Sequence, residues 1–296
     1  MATLYTEQSK NVSKTWMLMV FMFALIIAIG FFLSYYYNDR VILYGAVILS
    51  LIMNVGSYWF SDKIALSMSG AKPAPEIEYP DLHNIVENLS ITAGLPKPRV
   101  YIIPDSSPNA FATGRNKEHA AVAVTEGLLQ TLNRTELEGV IAHELSHIGN
   151  RDILISTIAV VLAGFISIIS DFFLRGAFRG RGNDNKGNAL VLIVGIVLIV
   201  LAPLAALLIR LAISRKREFL ADATGALLTR YPEGLASALE KIAGHPKPLD
   251  RASDATAHLY ISNPFGAKSF KGLHHLFATH PPVEKRLEAL RGIEVK

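Results

Sequence analysis

The chain contains no cysteine. That absence excludes disulfides and any thiolate metal site, and it fits a reducing compartment. Charge is also scarce, with Asp, Glu, Lys and Arg making up 18% of 296 residues against 51% hydrophobic residues. The mean hydropathy of +0.32 is too apolar for an ordinary soluble domain of this size. No acidic excess offsets the bases, and the formal net charge is +4. The bases cluster beside apolar runs, so anionic lipid accounts for them and they make no case for nucleic acid. Internal repeats are lacking. The Gly-rich stretch 175–188 is too sparse in Gly-x-Gly for a phosphate loop and reads as a flexible connector.

The missing charge is concentrated. Residues 15–37, 41–60, 153–170 and 188–209 each run 18 or more positions without a charged side chain, long enough to cross a hydrocarbon layer as a helix. Trp16 and Tyr35 to Tyr37 bracket the first run and Tyr58-Trp59 close the second, as aromatic anchors do at membrane interfaces. Only Asn38, Asp39 and Arg40 separate these two, which predicts a transmembrane hairpin. The first run is long and leads straight into another apolar run, unlike a cleaved signal peptide. Ser156, Thr157, Gly164 and Asp171 dilute the third run and Pro203 interrupts the fourth, so full spans and a shallow interfacial hairpin both stay open. Lys10, Lys14, Arg210, Arg215, Lys216 and Arg217 argue for cytoplasmic termini. Arg175, Arg179, Arg181 and Lys186 argue the other way for the loop between the last two runs.

Between the apolar runs the pattern is that of a compact unit. Residues 73–75 read as a linker, and Leu82, Ile85, Val86 and Leu89 mark an amphipathic helix ending near Gly94 and Pro96. Strands are expected at 99–103, 110–113 and 120–125, followed by a helical turn at 128–132. The fold class expected is mainly α with a small β-sheet.

One motif carries chemistry. His143-Glu144-Leu145-Ser146-His147 places two imidazoles four residues apart, on one helical face, where they can share a metal ion, with Glu144 beside them to take a proton from an attacking water. This is the H-E-x-x-H arrangement of zinc hydrolases. Leu137, Val140, Ile141, Leu145 and Ile148 supply an apolar stripe, and Thr135 to Glu138 has the form of a capping box, so the motif sits on a supported helix. A hydrolytic zinc normally takes three protein ligands. Arg217-Glu218-Phe219-Leu220-Ala221-Asp222 offers Glu218 as the third, with Asp222 one turn on to accept the outer N–H of a ligand histidine, His143 being the better placed. Taken without His143 and His147, Glu218 reads better as a solvated charge beside Arg215 or Lys216.

Together these motifs resemble the HtpX-type integral-membrane zinc metalloproteases, relatives of the eukaryotic CAAX prenyl proteases. The likeness covers nearly the whole chain. It rests on Asn109-Ala110-Phe111-Ala112-Thr113-Gly114, on the 143–147 motif continuing into Asn150-Arg151-Asp152, on the 217–222 segment, and on Thr279-His280-Pro281-Pro282 followed by Arg286. The resemblance implies one zinc per subunit on His143, His147 and Glu218, with Glu144 as catalytic base and His280 stabilising the oxyanion. It also implies that Asn109 and its strand (Ala110, Phe111, Ala112, Thr113) lie beside substrate, and that Arg286 pairs with acidic groups near the site. The fold expected is a set of α-helical membrane hairpins plus a zincin-like metalloprotease domain. It divides into a hairpin at 1–60, catalytic parts at 61–152 and 210–296, and a second hairpin at 153–209.

The function expected is a zinc endopeptidase of a bacterial cytoplasmic (inner) membrane, multi-pass, cleaving misfolded or damaged membrane proteins at the cytoplasmic face. Its partners would be unfolded or membrane-protein substrates, the bilayer, and membrane proteases or chaperones. Alternatives are a processing protease for lipidated substrates, for which four spans are few to enclose a chamber, and a zinc-containing signal transducer, which would need a sensor domain that is not visible. By residue chemistry alone, Asn109 also reads as a turn cap after Pro108, and His280 as an exposed helix-entry residue. His83, His119, His245, His258, His274 and His275 lack ligand spacing and read as structural or solvent-facing.

Overall fold

The computed structural model describes residues 4–179, 215–253, 256–265 and 281–293. Helices α1 (Leu4–Tyr37) and α2 (Arg40–Met68) form a hairpin. Asn38 turns the chain with φ 51°, and the Asp39 side chain caps α2 by accepting from the Val41 N–H at 2.9 Å. Trp16 near the start of α1 stacks on Tyr58 near the end of α2, with centroids 6.1 Å apart. At Gly30 a Cβ would sit 2.2 Å from the Ala46 Cβ, so glycine is what lets the two backbones meet. Residues 11–37 and 40–68 are long and apolar enough to cross a membrane, and outward side chains such as Val20, Phe31 and Ile52 are more than half exposed, as a lipid-facing surface requires.

A mixed four-stranded sheet follows, of order β1-β2-β4-β3, from β1 (Lys72–Pro73), β2 (Arg99–Ile103), β3 (Ala110–Gly114) and β4 (Ala120–Thr125). β2 and β4 run parallel, while β1 and β3 pair antiparallel at the two edges. The short β1 lies where the proline-containing sequence reads as linker, and proline is tolerated there because the strand is an edge. Both faces of the sheet are covered. Val100, Ile102, Ala112, Val122 and Val124 pack towards α3 (Pro80–Ala93) and α5 (Arg134–Gly149), whereas Ile103, Phe111, Ala121 and Ala123 pack with Ala65 and Leu66 at the end of α2. Two-sided burial explains why these strands read as nearly continuous apolar runs.

The short α4 (Glu126–Thr131) leads into α5, which carries the H-E-x-x-H motif. Its cap differs from the expected one. Asn133, two residues before Thr135, accepts from the Glu136 N–H at 3.0 Å, and Glu136 returns a bond to the Asn133 N–H at 2.9 Å. Thr135 instead spends its hydroxyl on Asn133 Oδ1 at 2.8 Å. Asn is as good a cap as Thr, and Glu136 is buried against Ser237 and Lys241, which fixes the register.

After α5 the chain turns through 87° at Arg151, where φ is 58°, into α6 (Asp152–Arg179). The expected third apolar run is therefore helical. Its first half is buried by protein, with Leu154, Ile158, Leu162 and Ile166 packing on Leu18, Met19 and Met22 of α1. The fourth run, 188–209, lies outside the described residues. Beyond it come α7 (Arg215–Thr229), α8 (Pro232–Gly244), a 3-10 turn at Ala257–Leu259 and α9 (Val283–Arg291).

Candidate metal centre

Helix α5 brings His143 and His147 onto one face, and α7 crosses it at close range. At Gly225 of α7 a Cβ would lie 3.0 Å from the His143 backbone N, so a glycine there permits the approach that carries Glu218 to the histidines. His143 Nε2 and His147 Nε2 are 3.2 Å apart, and Glu218 oxygens lie 3.8 Å from the first and 3.6 Å from the second. Donors about 2.0–2.1 Å from a tetrahedral zinc are about 3.3 Å from one another, which this triangle matches.

Each outer nitrogen has a carboxylate beside it. His143 Nδ1 lies 2.9 Å from Asp222 Oδ1, and His147 Nδ1 lies 3.1 Å from Asp152 Oδ2. Carboxylates there favour a proton on Nδ1, which turns both Nε2 atoms towards a gap that a cation fits, a cation displacing any proton held there. The donor set therefore suits a metal such as zinc on its own geometry.

Electrostatics sort the buried groups. Burial pushes the Glu144 carboxyl up to about 7, with Glu218 adding to the rise while His147 and the Ala112 N–H oppose it. Burial pulls His143 down to about 4 despite Asp222. For His147 burial acts downwards too, but Asp152, Glu218 and Glu144 outweigh it and carry the ring up to about 9. Asp222 would be raised by burial, yet the Arg286 guanidinium holds it well below the usual carboxylate range. Arg286 grips Asp222 with two bonds, Nη2 to Oδ1 at 2.6 Å and Nε to Oδ2 at 2.8 Å, and both side chains are almost wholly buried.

The sequence pattern of Peptidase family M48 matches residues 76–294, which span the whole metal centre. The chain belongs to that family. It is 51% identical to the protease HtpX homolog of Thermoanaerobacter pseudethanolicus, with 98% of each chain covered. The protease HtpX homolog of Pyrococcus furiosus is also 51% identical, with 96% of each chain covered. The crystal structure of S. mikatae Ste24p shares the fold with a TM-score of 0.50 at 18% identity, covering 97% of this chain and 66% of that one, so this chain spans just under two thirds of its length. M48 membership implies metalloprotease activity, and the two candidate membrane helices make this M48 chain a membrane protein.

The M48 centre opens into a narrow cleft lined by Ala112, Glu144, Ser156, His258, Leu259 and Ile261 as well as the three donors. Its space of about 30 Å³ admits a water or two. Alternation along β3 turns the main-chain groups of Ala110, Ala112 and Gly114 away from β4. The Ala112 N–H meets Glu144, the Ala110 carbonyl accepts from the Ile261 N–H at 2.9 Å, and the Gly114 N–H reaches Thr157 Oγ1 at 3.4 Å. Of the five strand residues expected beside substrate, Ala112 lines the cleft. Asn109 is buried and tethers Ser262, donating from Nδ2 to its carbonyl at 3.0 Å. Phe111 packs edge-on against Tyr260, 5.2 Å away, and Thr113 Oγ1 lies 3.0 Å from Thr157 Oγ1. His280 lies outside the described residues.

Sequence reasoning gave no role to Asp152 or Asn11 and took His258 for a bland residue. His258 is buried in the cleft wall, with Nε2 3.2 Å from the Ser156 carbonyl. Asp152 had a signal, standing five residues after His147 where a helix corner returns it to that ring. His258 had none, because its position depends on a contact 102 residues away.

Proposed function

We propose that this M48 chain is a zinc endopeptidase that hydrolyses peptide bonds of misfolded or damaged membrane proteins at the cytoplasmic face of a bacterial inner membrane. The observation that carries the reading is the triangle of His143, His147 and Glu218 with Glu144 beside it. Residues 61–152 and 210–296 would form the catalytic unit around the 153–209 segment, and basic residues before the first apolar run and after the fourth support a cytoplasmic site.

His143, His147 and Glu218 would hold one zinc. When bound, it supplies Lewis-acid polarisation of the scissile carbonyl and activation of the attacking water. Glu144, with its carboxyl raised to about 7, takes the water's proton and returns it to the leaving nitrogen. Asp222 and Asp152 hold the two imidazoles in the tautomer that offers Nε2, and Arg286 keeps Asp222 ionised. The Ala112 carbonyl on the outer edge of β3 is placed to pair with an extended substrate backbone, which would give cleavage with loose sequence preference. His280 is assigned the oxyanion by the same reading.

The test is a detergent-solubilised Glu144→Gln protein. It should retain zinc while proteolysis of an unfolded membrane substrate falls about 10²–10⁴-fold, the usual worth of a general base. Full activity in that protein rules the mechanism out. His147→Ala should instead lose the metal in elemental analysis after gel filtration.

A further inference from the structure

A buried polar contact between the membrane hairpin and the metal centre runs through Asn11. This residue opens the apolar stretch of α1 and is 2% exposed. Its Nδ2 donates to Asp152 Oδ1 at 2.7 Å and lies 3.5 Å from the Asn150 carbonyl, both at the corner between α5 and α6. Its Oδ1 accepts from Arg217 Nη1 at 3.1 Å, and the same nitrogen stands 3.5 Å from Asp152 Oδ1. One amide therefore ties the α5–α6 corner to α7. Asp152 gives its other oxygen to His147, and Arg217 is the chain neighbour of Glu218.

A carboxylate can orient an imidazole only as well as it is itself oriented. Asp152 has one oxygen for His147, and the other would be free to swing were it not fixed by the amide of α1 and the guanidinium of α7. Asn suits the position because it donates to a carboxylate and accepts from an arginine at once, whereas a leucine of similar size can do neither and an aspartate can only accept while ionised.

We propose that Asn11 is a positioning residue for the metal centre, through which the first membrane helix sets the orientation of His147 by way of Asp152 and the placement of Glu218 by way of Arg217. Bilayer and zinc site are thereby coupled: a shift of α1 against the catalytic unit reaches two of the three donors through one side chain. The proposal rests on the zinc reading above.

The test measures zinc affinity of the full-length, detergent-solubilised protein by competition with a chromophoric chelator, together with the visible absorption spectrum of the cobalt-substituted protein. Asn11→Leu should weaken zinc binding about tenfold and shift the cobalt bands, the lower end of what loss of an outer hydrogen-bond partner costs. Asp152→Asn should weaken it more, and the double variant should lose less than the product of the two single effects, because both act on one linkage. Thr15→Val, which removes a bond to the Asn11 carbonyl on the same helix and leaves the amide in place, should bind zinc as the parent does. If Asn11→Leu does not accumulate as folded protein, Asn11→Ala gives the same reading, since it removes the donor to Asp152 and the acceptor for Arg217 without adding bulk or charge beside them. Parent-like affinity and cobalt bands in the folded variant overturn the proposal, as do strictly multiplicative effects in the double variant. Failure of the parent itself to bind zinc overturns the metal reading instead.

Discussion

Side chain by side chain, the centre is a set of buried charges that tolerate one another only in combination. Asp222 is 2% exposed and Arg286 1%, and each is the other's counter-ion. Removing one strands the other, so Asp222→Ala should cost about 3–5 kcal/mol, read as a lowered unfolding midpoint in detergent. It should also weaken metal binding by freeing the His143 ring. The spacing of His143 and His147 and the candidacy of Glu218 were legible in the sequence because helical periodicity is local. The pairing of Arg286 with an acidic group, across 64 residues, was available only from the family resemblance, and the Asn11 contact across 141 residues was not available at all, because no local pattern encodes such a meeting.

Among the secondary-structure elements, α5 is the one on which the chemistry depends, and its start is pinned by Glu136. Burial would raise this carboxyl, but bonds from Lys241, Ser237 and the Asn133 N–H outweigh it and hold it below 4.5. A depressed carboxyl stabilises the fold fully above its unfolded value, and the contribution is lost as pH falls through the folded one. The parent should therefore lose stability below about pH 4.5 more steeply than Glu136→Gln, in thermal melts run across that window. The apolar stripe of α5 and the strands at 99–103 and 120–125 could be read from residue pattern, since burial of one face, or of both, leaves a period. The cap register could not, because Asn133 and Thr135 are both good caps and the choice is made by Glu136 burying itself against α8. β1 was hidden by proline and is a strand only because β2 offers it an edge.

For the molecule as a whole, the two long apolar helices and the mainly helical remainder with a small sheet were visible in the residue pattern. The way that remainder closes over its own cleft was not. Ile261 is held at both ends: its N–H by the Ala110 carbonyl of β3 and its carbonyl by Arg286 Nη1 at 2.9 Å. Ile261→Pro, which removes that donor, should speed hydrolysis of an unfolded polypeptide in a fluorescence assay while zinc content stays at the parent's level. Equal rates would mean that this segment does not limit access. On the proposed function, then, an incoming chain would compete with the Ile261 N–H for the Ala110 carbonyl and would have to offset the bonds it displaces, about 0.5–1.5 kcal/mol each. Such an exchange would favour a chain already stripped of its intramolecular hydrogen bonds. On the proposed function, a well-folded neighbour in the bilayer would be spared by its own stability, and discrimination between damaged and sound proteins would need no recognition of sequence.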